Sequence, residues 1–550
     1  MSGTMEVDGA CALILRGERL AREGALEEAE IEFTRALAIE PRSPNAVVAL
    51  ARVQVGLRKV QQASATIDSL AGTGTELPAE LQRLRGQLLV AQSRYSDAVP
   101  VLRAAVAADS ADGQAEFGLA VALGECGLDE EAATAAGNAI AKGHDNAGSR
   151  FALARALFTS GRYTEALAEF RQLLRRHPLH DAAHANFADL VWMLTGDVDA
   201  ATAELDAALR HAPSADALRI IRSRLLDTAG RTALAYSELA TALSKDPRNL
   251  ELHLAASQMI LMKHPQRALA HAERAMYLAA ADVRALRAYI DALLATGHAE
   301  RVVEIADALL EMNADDGHAI AMRASAWRLL GDPRYRDLYD YGRFVRASLL
   351  DTPQGWPDLA SYLDDLAKCL HARHDPLRAH PVTQTLRNGT QVLLSKEQKN
   401  PAISAFPQAI AGPIRRYLDA LGVGNDPLRR RATDAFEVNE IWSVRLRRGG
   451  FHSNHYHGKG WISSACYIEI PEGACATGGS GWLRFGEPRM RTAPSLAPEY
   501  CVRPEPGLLV LFPSWMWHGT MPFNGRVDER RLTVAFDVVP AATSTDVMNT

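Results

Sequence analysis

The chain has 550 residues, more than a single hydrophobic core accommodates, so two or more domains are expected. A formal net charge of −6 with 23% charged residues argues against the basic footprint of a nucleic-acid binder, and 47% hydrophobic content argues against wholesale disorder. No run approaches the roughly eighteen apolar residues of a membrane span. The N-terminal MSGTMEVDGACALIL has no basic segment leading into an apolar one, so no secretory leader is expected. Six cysteines, Cys11, Cys126, Cys369, Cys466, Cys475 and Cys501, include no CxxC pair and read as reduced thiols. The expectation is a soluble, cytoplasmic protein of two parts, with no membrane or nucleic-acid partner.

The first part is periodic. Glycines at 24, 127, 161, 196, 230, 297 and 331 are separated by multiples of roughly 34 residues, the period of a tetratricopeptide repeat. Pro178, Pro213 and Pro247 keep the same step, each just past a helical segment that proline cannot continue. Small and large residues recur around them: Gly17, Ala29, Phe33, Ala36 and Pro41 in one copy; Ala154, Ala166, Phe170 and Pro178 in another. Two more copies carry Ala201, Leu205, Ala208 and Pro213, and Ala235, Leu239, Ala242 and Pro247. Small residues let paired helices approach, large ones fill the groove, and glycine makes the turn. Copies near residues 58, 93 and 264 lack the glycine and keep the alanines. About nine repeats are expected in an all-α superhelix over 1–345, a surface of the kind that holds a peptide or partner protein. A scaffold or dimerisation role is the alternative. The lone histidines His144, His184 and His211 read as surface or groove residues.

Past residue 345 the rhythm stops. Helical stretches persist in LASYLDDLAKCLHAR and AIAGPIRRYLDAL, and from 436 short strand-like runs follow: FEVNEIWSVRLRR, WISSACYIEI, GWLRF, GLLVLF and RLTVAFDVV. Turn-forming PEG and TGGSG separate them. Residues 346–550 therefore read as an antiparallel β domain, sandwich or barrel, with leading helices.

Three histidines carry the chemistry. His455 and His457 are spaced i, i+2 in GGFHSNHYHGKGW, which on a strand aims both imidazoles to one face, where they can share a metal ion. His518 follows in LFPSWMWHGT, just beyond an apolar strand. In RLTVAFDVV, Arg531, Thr533, Ala535 and Asp537 share one face, and an arginine followed two residues on by a hydroxyl makes a fork for a carboxylate. Tyr467 offers a phenolic donor. A salt bridge from Arg531 to Asp528 or Glu529 is the plainer reading, with Arg526 and Arg530 as rivals for the anchor role.

Histidines on two strands followed by Arg-x-Thr on the last resemble the double-stranded β-helix (jelly-roll) oxygenases that use Fe(II) and 2-oxoglutarate. The strings HYHGKGWISSACYIEIP, GWLRFGEP, PGLLVLFPSWMWHGT and RRLTVAFDVVP resemble a bacterial group of such oxygenases fused to tetratricopeptide repeats, as does HPVTQTLRNGTQV at 380–392. The resemblance implies iron on His455, His457 and His518, with 2-oxoglutarate chelating it and anchored by Arg531, Thr533 and Tyr467. It implies that O2 oxidises the cosubstrate to succinate and hydroxylates a side chain of a protein or peptide on the concave face of the repeats, in a bacterial cytoplasm. Trp461, Trp515 and Trp517 are candidate pocket walls or core aromatics, and Gln384, Arg387 and Gln391 candidate closing residues.

The sequence departs from the superfamily at one position. The usual triad is two histidines and a carboxylate in HxD or HxE, and here His457 stands at the second place. A three-histidine site is the preferred reading; a two-histidine site without its carboxylate, or one completed by Glu469, are the others. GGFHSNHYH also fits the Gly-x5-His-x-His opening of cupins, and GLLVLFPSWMWH approximates their second motif, so a cupin-type metalloenzyme remains a second reading. A non-catalytic adaptor is the third.

Overall fold

The computed structural model describes residues 2–71, 77–397, 399–433, 435–472 and 478–541. Cys475 and the start of the TGGSG turn lie outside them. The chain divides into two compact units, Met1–His177 with Ser395–Glu397, and Pro178–Leu394 with Gln398–Thr550. The division falls inside the repeat array, whereas the first strand begins at Arg346.

In the first unit five helix pairs run from Ser2–Arg22 and Leu26–Ile39 to Ala147–Thr159 and Tyr163–Arg176. In the second, four pairs follow, from Asp181–Thr195 and Val198–His211 to Val283–Ala295 and Ala299–Met312, and Gly317–Leu330 opens another turn of the array. All seven glycines of the lattice have positive φ, between 68° and 86°, which is why the turns favour that residue. Where glycine is missing, Arg58 and Ser93 adopt the same left-handed conformation with φ of 59° each. The copy near 264 solves the turn differently, with His264 at φ −137°. The prolines at 178, 213 and 247 each stand two residues past a helix end. Ala29, Phe33 and Ala36 are buried, and a Cβ on Gly17 would lie 2.6 Å from the Phe33 ring, so close helix crossing accounts for the small residues. Burying one such phenylalanine contributes about 1.5–3 kcal/mol.

The β domain has nine strands among the described residues: β1 (Arg346–Leu349), β2 (Leu386–Leu393), β3 (Phe436–His452), β4 (Ile462–Glu469), β5 (Leu483–Phe485), β6 (Tyr500–Val502), β7 (Leu508–Pro513), β8 (His518–Thr520) and β9 (Arg530–Pro540). They form two antiparallel sheets, ordered β1-β7-β4-β9-β3-β2 and β6-β5-β8. The five strand-like runs of the sequence are β3, β4, β5, β7 and β9; β1, β2, β6 and β8 were not legible as strands. Helices Leu359–His374 and Phe406–Leu421 flank the large sheet, where Tyr362, Leu366 and Leu370 of the first and Ile410 and Ile414 of the second are buried.

Within the second unit, the last repeats and the β domain share a core. Trp517 and Met490 pack in one cluster with Leu293, Val302, Met322 and their neighbours. The Trp517 indole N–H donates to Ser325 Oγ at 2.9 Å, and Arg328 donates to the carbonyls of Gly486 and Ala497. The HPVTQTL segment is held by the helix Asp181–Thr195: Trp192 Nε1 donates to the His380 carbonyl, and Asp189 accepts the Val382 N–H at 2.8 Å.

Candidate metal centre

The chain leaves β3 at His452 and continues extended beside β8. His455 and His518 form an isolated antiparallel bridge, each N–H donating to the other's carbonyl at 2.8 and 2.9 Å. Two residues on, the His457 N–H donates to the Ser514 carbonyl at 2.8 Å. The i, i+2 histidines therefore lie on an extended segment after β3, held by single-residue pairings rather than by a continuous ladder. The spacing still brings the side chains together. The rings of His455 and His518 are 4.2 Å apart between centroids, and His457 stands 5.2 and 5.3 Å from the two. One ligand atom from each of the three lies within 4.8 Å of the others.

Every ring is oriented through Nδ1. His455 Nδ1–H donates to the Ser453 carbonyl and His518 Nδ1–H to the Met516 carbonyl, both at 2.9 Å, and His457 Nδ1–H donates to Asp537 at 2.7 Å. The tautomer is thereby fixed with Nε2 as the lone-pair atom of each imidazole, the arrangement a metal-ligating histidine takes. Burial, then the neighbouring His457, holds His455 down to about 3; burial, then His455, holds His518 well below the usual histidine range. Neutral imidazole is the ligating form. Three imidazoles oriented through Nδ1, with their Nε2 atoms left to ligate, fit a divalent transition metal and leave positions open for other ligands.

The same cavity is lined by Arg531 and Thr533 of β9, Trp442 and Val444 of β3, His452, Ser464, Leu483, Gly519 and Thr520. Arg531 is 2% exposed; its Nη1 donates to the Gly481 carbonyl and its guanidinium lies over the Tyr467 ring, 5.2 Å from the centroid. Tyr467 and Thr533 are directly opposite across β4 and β9, as Thr533 and Val444 are across β9 and β3. Arg531 forms no ion pair with Asp528 or Glu529 among the described residues; those acids pair with Arg526. Phe512 packs edge-on against His518 at 4.6 Å.

Other expected residues lie elsewhere. Trp461 is fully buried and donates to the Leu428 carbonyl, Trp515 is buried with its carbonyl accepting from Tyr339, and Trp517 joins the repeat core. None of the three lines the cavity; they are core aromatics. Trp442, which lines the cavity 5.9 Å from His457, was not singled out. Glu469 pairs with His371 at 3.0 Å and lies outside the cavity. Gln391 is opposite Val444 on the site-facing side of β2, Gln384 lies in the turn before β2, and Arg387 lines an adjacent groove.

Sequence reasoning missed the work of three more residues. Asp537 backs His457, and Ser463 Oγ donates to Asp537 at 2.7 Å while lying 2.9 Å from Ser514 Oγ. The alternation of β9 placed Asp537 on the site face; its partner depended on register. His452 stacks beside His455 at 6.1 Å, and burial holds its pKa well below the usual value.

Residues 440–537 match the model of a family described as "Putative 2OG-Fe(II) oxygenase". Residues 20–88, 83–148 and 151–216 match models of the tetratricopeptide repeat. The chain thus joins tetratricopeptide repeats to a segment similar to 2-oxoglutarate/Fe(II) oxygenases. Among solved structures, yeast Tom70 is similar at 13% identity over 59% of this chain and 82% of that one, with a TM-score of 0.37. A tetratricopeptide repeat protein from Parabacteroides merdae is similar at 14% identity over 52% and 99%, TM-score 0.34. MamA from Desulfovibrio magneticus is similar at 21% identity over 32% and 98%, TM-score 0.28. At these scores the likenesses carry no argument about function. No curated protein matches the chain.

Proposed function

We propose that residues 346–550 are an Fe(II)- and 2-oxoglutarate-dependent dioxygenase that hydroxylates a side chain of a protein or peptide captured by the repeat array of 1–345. The observation that carries the reading is the convergence of His455, His457 and His518, each with Nδ1 engaged, in one cavity with the buried Arg531 and Thr533. The family match over 440–537 supports the same class.

His455, His457 and His518 would hold the iron through Nε2, and Arg531, Thr533 and Tyr467 would hold the far carboxylate of 2-oxoglutarate. Bound there, iron and 2-oxoglutarate supply the oxidation of a C–H bond by O2, with succinate and CO2 as co-products. The protein's own residues do the rest. The Ser453 and Met516 carbonyls and the Asp537 carboxylate keep the imidazoles aimed, so no reorganisation is needed when ligands change. Asp537 also places a negative charge behind the one histidine that replaces the usual carboxylate ligand. Trp442, Val444, Leu483 and Phe512 keep the surroundings apolar and exclude water. Arg531, buried and charged, matches a carboxylate bidentately. Gln391 of β2, opposite Val444, would close the site from that side.

A cupin-type reading gives Arg531 no task, whereas here it shares the histidines' cavity. The described cysteines are free thiols, which suits a bacterial cytoplasm. The deciding experiment is an anaerobic titration of 2-oxoglutarate into the Fe(II)-loaded protein, watching the visible metal-to-ligand charge-transfer band. A saturable band, weakened at least about tenfold in apparent affinity by Arg531→Ala, is expected. Iron binding with no band would sink the oxygenase reading.

A further inference from the structure

Beside the metal centre, in the same compact unit, lies a groove of about 380 Å³ lined by Arg387 of β2, Arg484 of β5, Arg489 and Arg491, with Glu487 as its one acid. Glu487 is occupied by Arg484, at 2.9 Å. Arg387 is half-buried and gives its Nη1 only to the carbonyls of Gln384 and Leu386, while among the described residues Arg387, Arg489 and Arg491 form no ion pair with a carboxylate. Burial, then the charge of Arg489, holds Arg387 below the ordinary arginine range. A guanidinium taken out of water beside a second one is unfavourable unless an anion completes the site.

The groove and the metal centre are lined by the same stretch of chain. Ser453 and Asn454, the two residues between His452 and His455, form part of its wall, and Arg484 donates to Asn454 Oδ1 at 3.1 Å. The lining also includes Met262 from a repeat turn and the apolar residues Phe451, Met490 and Leu496.

We propose that this groove binds an acidic polypeptide segment, its Asp and Glu carboxylates on Arg387, Arg489 and Arg491, and so delivers a neighbouring residue to the three histidines. The proposal rests on the oxygenase reading for its consequence and on the groove alone for binding. A lining that mixes apolar residues with guanidinium groups suits the side chains of a peptide. A nucleic acid would want several stacking aromatics and an unbroken positive track, whereas the groove offers Phe451 alone and places Glu487 in the way.

The test uses the full chain, metal-free, and a fluorescein-labelled dodecapeptide of alternating Asp and Ser, followed by anisotropy. Saturable binding is expected, weakened at least about tenfold by the Arg489→Glu, Arg491→Glu pair and by Arg387→Gln, and unchanged by Arg526→Glu on an exposed turn. The milder Arg489→Gln, Arg491→Gln pair, with melting curves, separates loss of charge from misfolding. An Asn-Ser peptide of the same length should not bind. Absence of saturable binding, binding indifferent to the arginines, or equal competition by oligothymidylate would each overturn the proposal. The 2-oxoglutarate band is recorded on the same preparations after anaerobic loading with Fe(II). Arginine-dependent peptide binding without the band would leave the groove standing and the oxygenase reading lost; the band without peptide binding would do the reverse.

Discussion

Asp537, near the end of β9, accepts the Nδ1–H of His457 at 2.7 Å, although the two residues are 80 positions apart. The carboxylate that this sequence lacks among its metal-ligand candidates is present one bond further out. Its charge would reach a metal held by the three histidines through the imidazole it orients. That arrangement raises the basicity of Nε2 and fixes the ring, and partners of this kind typically contribute tenfold to a hundredfold in metal affinity.

Asp537→Ala is therefore expected to weaken Fe(II) binding by about 10–100-fold with the fold retained, and Asp537→Asn by less, since its amide oxygen still accepts the Nδ1–H. Competition against a chromophoric chelator measures this. Wild-type affinity in the alanine variant would remove Asp537 from the centre.

Gly519 follows His518 on β8. A Cβ there would stand 2.4 Å from Asn454 Oδ1 and 2.9 Å from the His452 carbonyl. Gly519→Ala must push β8 away from the segment carrying His455, breaking the reciprocal bridge between His455 and His518. A loss of about 1–3 kcal/mol in stability is expected, together with weaker metal binding. Chemical denaturation and metal titration would report both, and a neutral outcome would show that the Asn454 side chain moves aside.

His374 supplies the pH prediction. It is fully buried on the flanking helix, with Nδ1 2.8 Å from Thr390 Oγ1 and Nε2 3.0 Å from Ser443 Oγ. Burial, then the charges of Arg445 and His371, takes it down to about 3 from the usual 6.5. The unfolded chain binds a proton that the native state refuses, so stability is lost as pH falls from 6.5 toward 3, by at most about 1.4 kcal/mol per pH unit for this one group. In urea melts of the metal-free protein, His374→Gln should show a shallower decline over that window. An unchanged slope would mean that the acid sensitivity comes from other groups.

Arg58 and Ser93 occupy left-handed turns that glycine fills elsewhere in the array. Both are exposed, so little contact is lost on replacement. Arg58→Gly and Ser93→Gly are each expected to stabilise the protein by about 0.5–1 kcal/mol, relief of the left-handed penalty outweighing the added chain entropy. Melting curves check this. Destabilisation would show that the turns tolerate these residues without strain.

The repeats were legible because their signals are short-range. A glycine turn, a proline stop and an alanine at a helix crossing each depend on a few neighbouring residues, and repetition every 34 positions makes them visible. The same holds for β9, whose period-2 alternation placed Arg531, Thr533 and Asp537 on one face, and for the i, i+2 spacing of His455 and His457. Tertiary structure decided what depends on register between distant strands: that Asp537 meets His457, that Trp442 lines the cavity while Trp461, Trp515 and Trp517 fill the core, and that Glu469 goes to His371. It also gathered Arg387, Arg484, Arg489 and Arg491 into one groove and joined the last repeats to the β domain through Trp517 and Met490. A side chain's face follows from its own backbone period. Its partner follows from how separate strands pair and how helices pack, and those are set by contacts that no local pattern encodes.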